Sequence, residues 1–230
     1  MKHTEKELVA LKDEVSQMWR LVLSQLEKAK QAFLSNDIEL AREVASREKR
    51  VNSFELKIDS DCENYIALYN PVAVDLRLVL SLIKISITLE RIADYAKGIA
   101  KQIIAEAGHP VGEDLKEDLC IENMFDAVIE MLSDSYAALD LENTRLAGKI
   151  LAKDETVDEI YHNSMKILAD AIRNKKIEAE NGLKTMLVIR NIERVGDHCS
   201  NIVEEIVFYI DAKVLKHSKP GHSSNEEIEN

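Results

Sequence analysis

Turn-forming residues are scarce in this chain, with seven Gly and three Pro among 230 residues, roughly a third of ordinary usage. A chain so short of corner residues cannot make the many tight turns of a β-sandwich or barrel. Aromatics are also few, at 5%, which removes residues that favour half-buried strands. Positive charge is outweighed, 30 Lys and Arg against 42 Asp and Glu, for a formal net charge of −12. A phosphate backbone needs a basic stripe, so nucleic acid is excluded as a main partner. Free phosphate and anionic lipid are disfavoured too, unless a metal or a local basic patch inverts the field.

Cysteine use excludes more. Cys62, Cys120 and Cys199 are far apart and form no Cys-x-x-Cys pair, so neither a disulfide framework nor a structural zinc site is encoded, and the pattern suits a reducing cytosol. No apolar run approaches the ~18–20 residues that span a bilayer, and the charged start Met1-Lys2-His3-Thr4-Glu5-Lys6-Glu7 is unlike a signal peptide. A Gly-rich phosphate loop, His-Glu-x-x-His and Gly-x-Ser-x-Gly are all missing. These absences predict a soluble, cytoplasmic, non-enzymatic protein.

What is abundant points to helix. Hydrophobic residues at 46% and charged residues at 31% suit long amphipathic helices and give ample core material. Leu8, Leu11, Val15, Met18, Val22, Leu26, Ala29 and Phe33 recur at steps of three and four. Leu78, Leu82, Ile85, Leu89, Ile92, Ala96, Ile99 and Ile103 form an unbroken seven-residue repeat. Both are single stripes suited to bundle packing. Breaks are expected at Asn36-Asp37, Asn70-Pro71, Gly108 to Gly112, Glu142-Asn143 and Glu180-Asn181-Gly182. Six long antiparallel helices lie between them. The polar segment 216–230 reads as a disordered tail.

The chain also repeats itself. Glu90-Arg91-Ile92-Ala93-Asp94 returns as Glu193-Arg194-Val195-Gly196-Asp197, at an offset of 103 residues. Upstream, Glu48, Val51 and Asn52 correspond to Asp154, Val157 and Asp158 at an offset of 106, as do Val15, Met18 and Val22 to Ile121, Met124 and Val128. The expected architecture is all-α, with one three-helix unit in residues 1–107 and a related one in 113–215.

The repeated blocks carry the candidate chemistry. Residues four apart on a helix project from nearly one face, so Glu90/Asp94 and Glu193/Asp197 are carboxylate pairs, the second extended by Asn201. Acids fill 42 of 230 positions, so such pairs recur by chance, and a solvated face with Glu–Arg pairing is the ordinary alternative. Two features favour a site. Glu90 and Asp94 lie off the Leu82/Ile85/Leu89/Ile92 seam, on the opposite face of their helix. Their heights also match acids on the preceding helix: Glu48 and Asn52 lie 22 and 18 residues before Asn70, and Glu90 and Asp94 lie 20 and 24 after it. Around a turn near Lys176, Asp154 and Asp158 lie 22 and 18 before, and Glu193 and Asp197 lie 17 and 21 after. Oxygen-bearing side chains from two helices at one level suit a hard or borderline cation, which offsets their repulsion. Iron, manganese and magnesium fit oxygen-only ligands, and zinc is possible.

Other candidates are weaker. Glu106/His109 and Glu159/His162 match the Glu-x-x-His of di-iron bundles but are not equivalent under the repeat. His162, four beyond Asp158, is a possible extra ligand, and His198 reads more simply as a surface histidine. Arg91 and Arg194 pair most simply with neighbouring acids, and Trp19 with the core. Asp75-Leu76-Arg77 is either helix-start chemistry or part of a docking surface.

Three stretches together carry a family likeness. Val51-Asn52-Ser53-Phe54-Glu55-Leu56-Lys57-Ile58-Asp59, Asn70 to Arg77 and Leu89 to Asp94 resemble the first half of the PhoU family, the phosphate-specific transport accessory proteins. Ile192 to Ile202, containing Glu193-Arg194-Val195-Gly196-Asp197, resembles that family's second block. The likeness covers roughly residues 5–215. It implies two three-helix bundles, a homodimer, and multinuclear metal sites on the acidic motifs. It also implies negative regulation of phosphate uptake, through a membrane phosphate ABC transporter and its sensor histidine kinase. Asn52 in place of Asp, Ala93 opposite Gly196, and Gly98 opposite Asn201 make the first-half site the weaker one. Three rivals stay open: a carboxylate-bridged metalloenzyme, a purely structural helical adaptor, and a PhoU-like regulator of another transporter.

Overall fold

A computed structural model describes residues 3–105 and 110–214; the expected tail at 216–230 and the Glu106/His109 pair lie outside them. The described residues form helices α1 (His3–Ser35), α2 (Ile38–Ser46), α3 (Glu48–Tyr69), α4 (Ala73–Ala105), α5 (Glu113–Asp118), α6 (Ile121–Asp140), α7 (Ala147–Arg173) and α8 (Ala179–Asp211), with one 3₁₀ turn at Thr144–Leu146. No strand occurs among the described residues. The fold is all-α, with α1, α2/α3 and α4 forming one unit and α6, α7 and α8 its counterpart.

The helix ends follow local chemistry. Asn36 takes a left-handed conformation, φ 53°, and the Asp37 carboxylate accepts from the Leu40 amide at 2.9 Å to cap α2. Asn70, also left-handed at φ 46°, closes α3 ahead of Pro71. Asn143 accepts from the Arg145 amide at 2.9 Å and starts the 3₁₀ turn. Asparagine is the residue that tolerates the left-handed region most easily after glycine, and it does so at two of these three turns.

Three boundaries differ from expectation. The segment after Gly112 is split into α5 and α6 at Cys120, left-handed at φ 51°. The turn between α7 and α8 spans 174–178, around Lys175 at φ 56°, whereas Glu180-Asn181-Gly182 lies in the first turn of α8. Gly182 serves packing rather than turning: a Cβ there would meet Ile172 Cδ1 at 2.7 Å. The second predicted helix is broken between α2 and α3 at Arg47, without Pro or Gly nearby. The Val44 carbonyl is taken by the buried Gln25 amide from α1 at 3.2 Å and by the Arg47 amide at 3.3 Å. A side chain inserted into the backbone ladder is a recognised cause of such a break.

The core is one continuous cluster shared by both units. The seven-residue stripe of α4 is buried throughout, as is the α1 stripe from Leu11 to Phe33. Each fully buried Leu or Ile contributes about 1.5–3 kcal/mol of transfer free energy. The units meet most extensively along α4 and α8, which run antiparallel. The Arg77 guanidinium donates to the Tyr209 carbonyl at 3.2 Å, the Ser81 hydroxyl to the Glu205 carbonyl at 3.3 Å, and the Lys84 ammonium to the Glu205 carboxylate at 3.0 Å. Trp19, 1% exposed, crosses from α1 to α6 and donates its indole N–H to the Leu132 carbonyl at 3.1 Å. That contact confirms its core role. No helix of the described residues is long and apolar enough to cross a membrane.

Candidate metal centre

The acidic groups sit where α7 runs beside α8 and where α3 runs beside α4. In the second half, carboxylate oxygens of Asp158, Glu193 and Asp197 all lie within 4.8 Å of one another. Ligand oxygens about 2.1–2.5 Å from one cation are separated by up to about 5 Å, so the three can surround a single ion. All three side chains are half-buried. Asp154, one helical turn before Asp158, accepts from the Ser200 hydroxyl at 2.8 Å through Oδ2. Its other oxygen, Oδ1, is buried without a hydrogen-bond partner. An orphaned buried carboxylate oxygen beside three converging carboxylates fits a cation.

Electrostatics agree with that fit. Burial, more than the hydroxyl of Ser200 can offset, pushes the Asp154 carboxyl up to about 6, with Asp158 and Asp197 adding to the rise. Burial also raises Glu193, followed by repulsion from Asp197, while Arg194 opposes the shift. Like charges crowded in a partly dry site hold protons above their ordinary range until a cation replaces them. Arg194 is a partial substitute at the rim, with its guanidinium 3.0 Å from Asp197 and 3.6 Å from Glu193.

Gly196 makes the approach of α7 possible. A Cβ at this position would lie 2.8 Å from Asp154 Oδ1 and 3.4 Å from Val157. The glycine here clears space for a facing carboxylate. Asn201, read from sequence as a supplementary ligand, is exposed one turn beyond Asp197. The neighbour that reaches an acid is Ser200, which the helical spacing did not single out.

The first half is built differently. Glu90 and Asp94 are half-buried on α4, and burial raises Glu90, followed by repulsion from Asp94, Glu55 and Glu48. Glu48, the first residue of α3, is ion-paired with the Lys97 ammonium from α4. Asn52 is half-buried at the place corresponding to Asp158. Among the described residues, a convergence of three acids close enough to hold one cation is found only in the second half. Lys97 and Glu55 were both missed from sequence, although the offset of 103 residues sets Lys97 against Ser200.

The remaining candidates are placed elsewhere. His162 is exposed, with its Nδ1 2.6 Å from the Asp158 backbone carbonyl. Glu159 is exposed as well. His198 is half-buried and stacks on Tyr95, ring centres 5.5 Å apart. Burial lowers its pKa. Arg91 lies 3.8 Å from Glu90, a neighbouring acid as expected. Arg77 is used for the contact with α8, which accounts for part of the Asp75 to Arg77 segment. Burial pushes the Cys62 thiol up to about 12 and raises Cys199 as well, which leaves both as poor nucleophiles.

Comparison with known proteins places this geometry in a family. The PhoU domain matches the chain twice, over residues 15–103 and 121–206. The PhoU homolog 1 of Thermotoga maritima, a phosphate-specific transport system accessory protein, is 30% identical over 98% of this chain and 96% of its own length. The corresponding homolog of Aquifex aeolicus is 34% identical over 92% of this chain and 95% of its own length. Among solved structures, PhoU of Pseudomonas aeruginosa has a TM-score of 0.86 at 27% identity, covering 91% of this chain and 99% of that one. The phosphate transport system regulatory protein PhoU of Streptococcus pneumoniae has a TM-score of 0.84, also at 27% identity, covering 93% and 100%. With both helical units matched and relatives similar along nearly the whole chain, this protein belongs to the PhoU family.

Proposed function

We propose that this chain is a non-enzymatic accessory regulator of phosphate transport that carries metal on its acidic helix faces. The reading makes it a cytoplasmic negative regulator, restraining a membrane phosphate ABC transporter and the signalling of its sensor kinase when phosphate is plentiful. The observation that carries it is the full-length likeness to phosphate transport accessory proteins, joined to three carboxylates whose oxygens lie within 4.8 Å of one another. Asp158, Glu193 and Asp197 would hold the ion, with Asp154 beside them and Asn201 at the rim. Glu48, Asn52, Glu90 and Asp94 are the counterpart group in the first half. Iron, manganese, magnesium or zinc would supply positive charge on an otherwise anionic face, a means of meeting phosphate or an acidic partner surface. Ser200 orients Asp154, and Gly196 lets α7 approach closely enough for the acids to converge.

A homodimer belongs to the same reading. Exposed Leu80 and Ile87 on α4 and Leu183 and Leu187 on α8 leave apolar surface available for it. The regulatory reading is tested by deleting the gene and following a phosphate-regulon reporter in phosphate-rich medium. Constitutive expression is the expected result. An unchanged reporter with normal phosphate uptake would reject the reading in favour of a different transporter.

A further inference from the structure

We propose that Lys97 is a built-in cation that closes the first-half acid group to metal, so that the chain takes up its ion in the second half alone. The inference rests on the metal reading above and concerns which of two related groups can accept an ion.

The repeat supplies the comparison. Three residues past the acidic pair, α8 carries Ser200 and α4 carries Lys97. Each reaches back to the first acid of the facing helix: Ser200 donates to Asp154, and Lys97 is ion-paired with Glu48. The two contacts are geometrically alike and electrically different. A hydroxyl is neutral and leaves Asp154 Oδ1 orphaned. An ammonium brings a full positive charge and three donors, held at 19% side-chain exposure.

Charge at the equivalent positions then diverges. Asp154, Asp158, Glu193 and Asp197 make four carboxylates with no interior cation. Glu48, Glu90 and Asp94 make three, with Asn52 contributing no charge and Lys97 cancelling one. Glu55 adds an acid near Glu90, at the place where the second half has Tyr161. Beside this group an open groove of about 300 Å³ is lined by Arg91, Lys97 and Lys101 against the single carboxylate of Asp94. A divalent ion entering there would displace the ammonium from Glu48 and meet two further cations.

Lys97 also clamps α4 to the start of α3, directly after the break at Arg47. The first half thus ties its two acidic helices together with its own side chain. In the second half the corresponding tie is the neutral hydrogen bond from Ser200 to Asp154, which leaves the carboxylate charges uncompensated.

The test uses the full-length protein and Mn(II) alone, with bound metal counted after equilibrium dialysis and folding checked by circular dichroism. The unaltered chain and Glu90→Ala/Asp94→Ala should bind the same amount of manganese, and Glu193→Ala/Asp197→Ala should bind none. Into that last background, Asn52→Asp alone should restore nothing. Asn52→Asp with Lys97→Ser should restore binding, and Asn52→Asp with Lys97→Arg should not. Loss of metal in Glu90→Ala/Asp94→Ala would overturn the inference, and so would manganese retained by Glu193→Ala/Asp197→Ala. A folded Asn52→Asp/Lys97→Ser chain that stays empty would overturn it as well. If that variant fails to fold, the comparison of the unaltered chain with Glu90→Ala/Asp94→Ala decides alone. An unaltered chain that binds no manganese in either half counts against the metal reading, whereas gain on replacing Lys97 would still support the role of this lysine.

Discussion

Two helix pairs in this molecule share a sequence block, a register and a pair of acids, yet differ in how they neutralise them. Between α7 and α8, Gly196 admits the facing helix, Asp154 keeps an orphaned oxygen, and three carboxylates converge. Between α3 and α4, Ala93 stands in place of the glycine, Asn52 in place of an acid, and Lys97 reaches the first carboxylate. The difference teaches that two copies of one acidic motif can sit in different electrostatic surroundings. Those surroundings are set by the residue one turn beyond the motif, Ser200 or Lys97, together with the space opposite it.

The comparison is broken most directly by removing the acids themselves. Glu193→Ala/Asp197→Ala should abolish metal binding, as metal analysis of the dialysed protein would show. Because these groups lie off the buried seam, the metal-free variant should melt no lower than the metal-free parent. It should melt slightly higher if relieved repulsion dominates.

Exchanging the small residues tests the space rather than the charge. Gly196→Ala must move the Asp154 carboxylate, 2.8 Å from the new Cβ. Overpacking of this kind costs about 1–3 kcal/mol, set against a helix-propensity gain of at most about 1 kcal/mol. Denaturant melts should show a net loss, with weaker metal binding. Ala93→Gly, its mirror experiment, creates no clash and should cost about 1–2 kcal/mol, from helix propensity together with the loss of a buried methyl group.

The frame of both sites was legible in the chain, and their detail was not. Asn36-Asp37, Asn70-Pro71 and Asn143 mark real helix ends because their cause is local: a left-handed residue or a capping side chain. The buried stripe of α4 follows from its seven-residue repeat. The break at Arg47 was invisible because the group that takes the Val44 carbonyl, Gln25, comes from another helix. Gly182 looked like a turn residue because spacing does not reveal that Ile172 will pack against it. Ser200 was passed over for Asn201 for a similar reason. Helical angle places both near the acids, and only the close approach of α7 selects the serine.

Acidity offers a further contrast. The Asp154 carboxyl is raised to about 6 from an unfolded value near 4. A group whose folded pKa is raised stabilises the fold below its unfolded pKa, and that contribution is lost as pH rises through the folded value. The Asp154 contribution to the metal-free protein should therefore fall by on the order of 1–2 kcal/mol between about pH 4 and pH 6, after allowance for solvent screening. Glu193 and Glu90, raised in the same direction, add to the slope. Asp154→Asn should flatten it, and Glu48→Gln should leave the Asp154 contribution in place. Urea melts across this range would check the sign. Because Glu43, Glu130 and Glu142 are held low by basic partners and act in the opposite direction, the parent is compared with Asp154→Asn, and an identical change from pH 4 to pH 6 in both would contradict the assignment.

The smallest expected effect concerns the two arginines inside the repeated blocks. Arg194 lies 3.0 Å from Asp197 and 3.6 Å from Glu193, whereas Arg91 lies 3.8 Å from Glu90. Both guanidinium side chains are largely exposed, 44% for Arg194 and 61% for Arg91. Such pairs contribute little to stability, about 0.2–1 kcal/mol, so Arg194→Ala and Arg91→Ala should both melt close to the parent. Metal binding separates them. An ion entering the second half must draw Asp197 away from Arg194, so removing this competitor should tighten binding by about 1.5–5-fold, the equivalent of that same energy range. Arg91 guards a group already held by Lys97, and its removal should leave metal affinity unchanged. Titration of both variants with manganese at low and high salt checks the point, because screening should erase most of the Arg194 effect at high ionic strength.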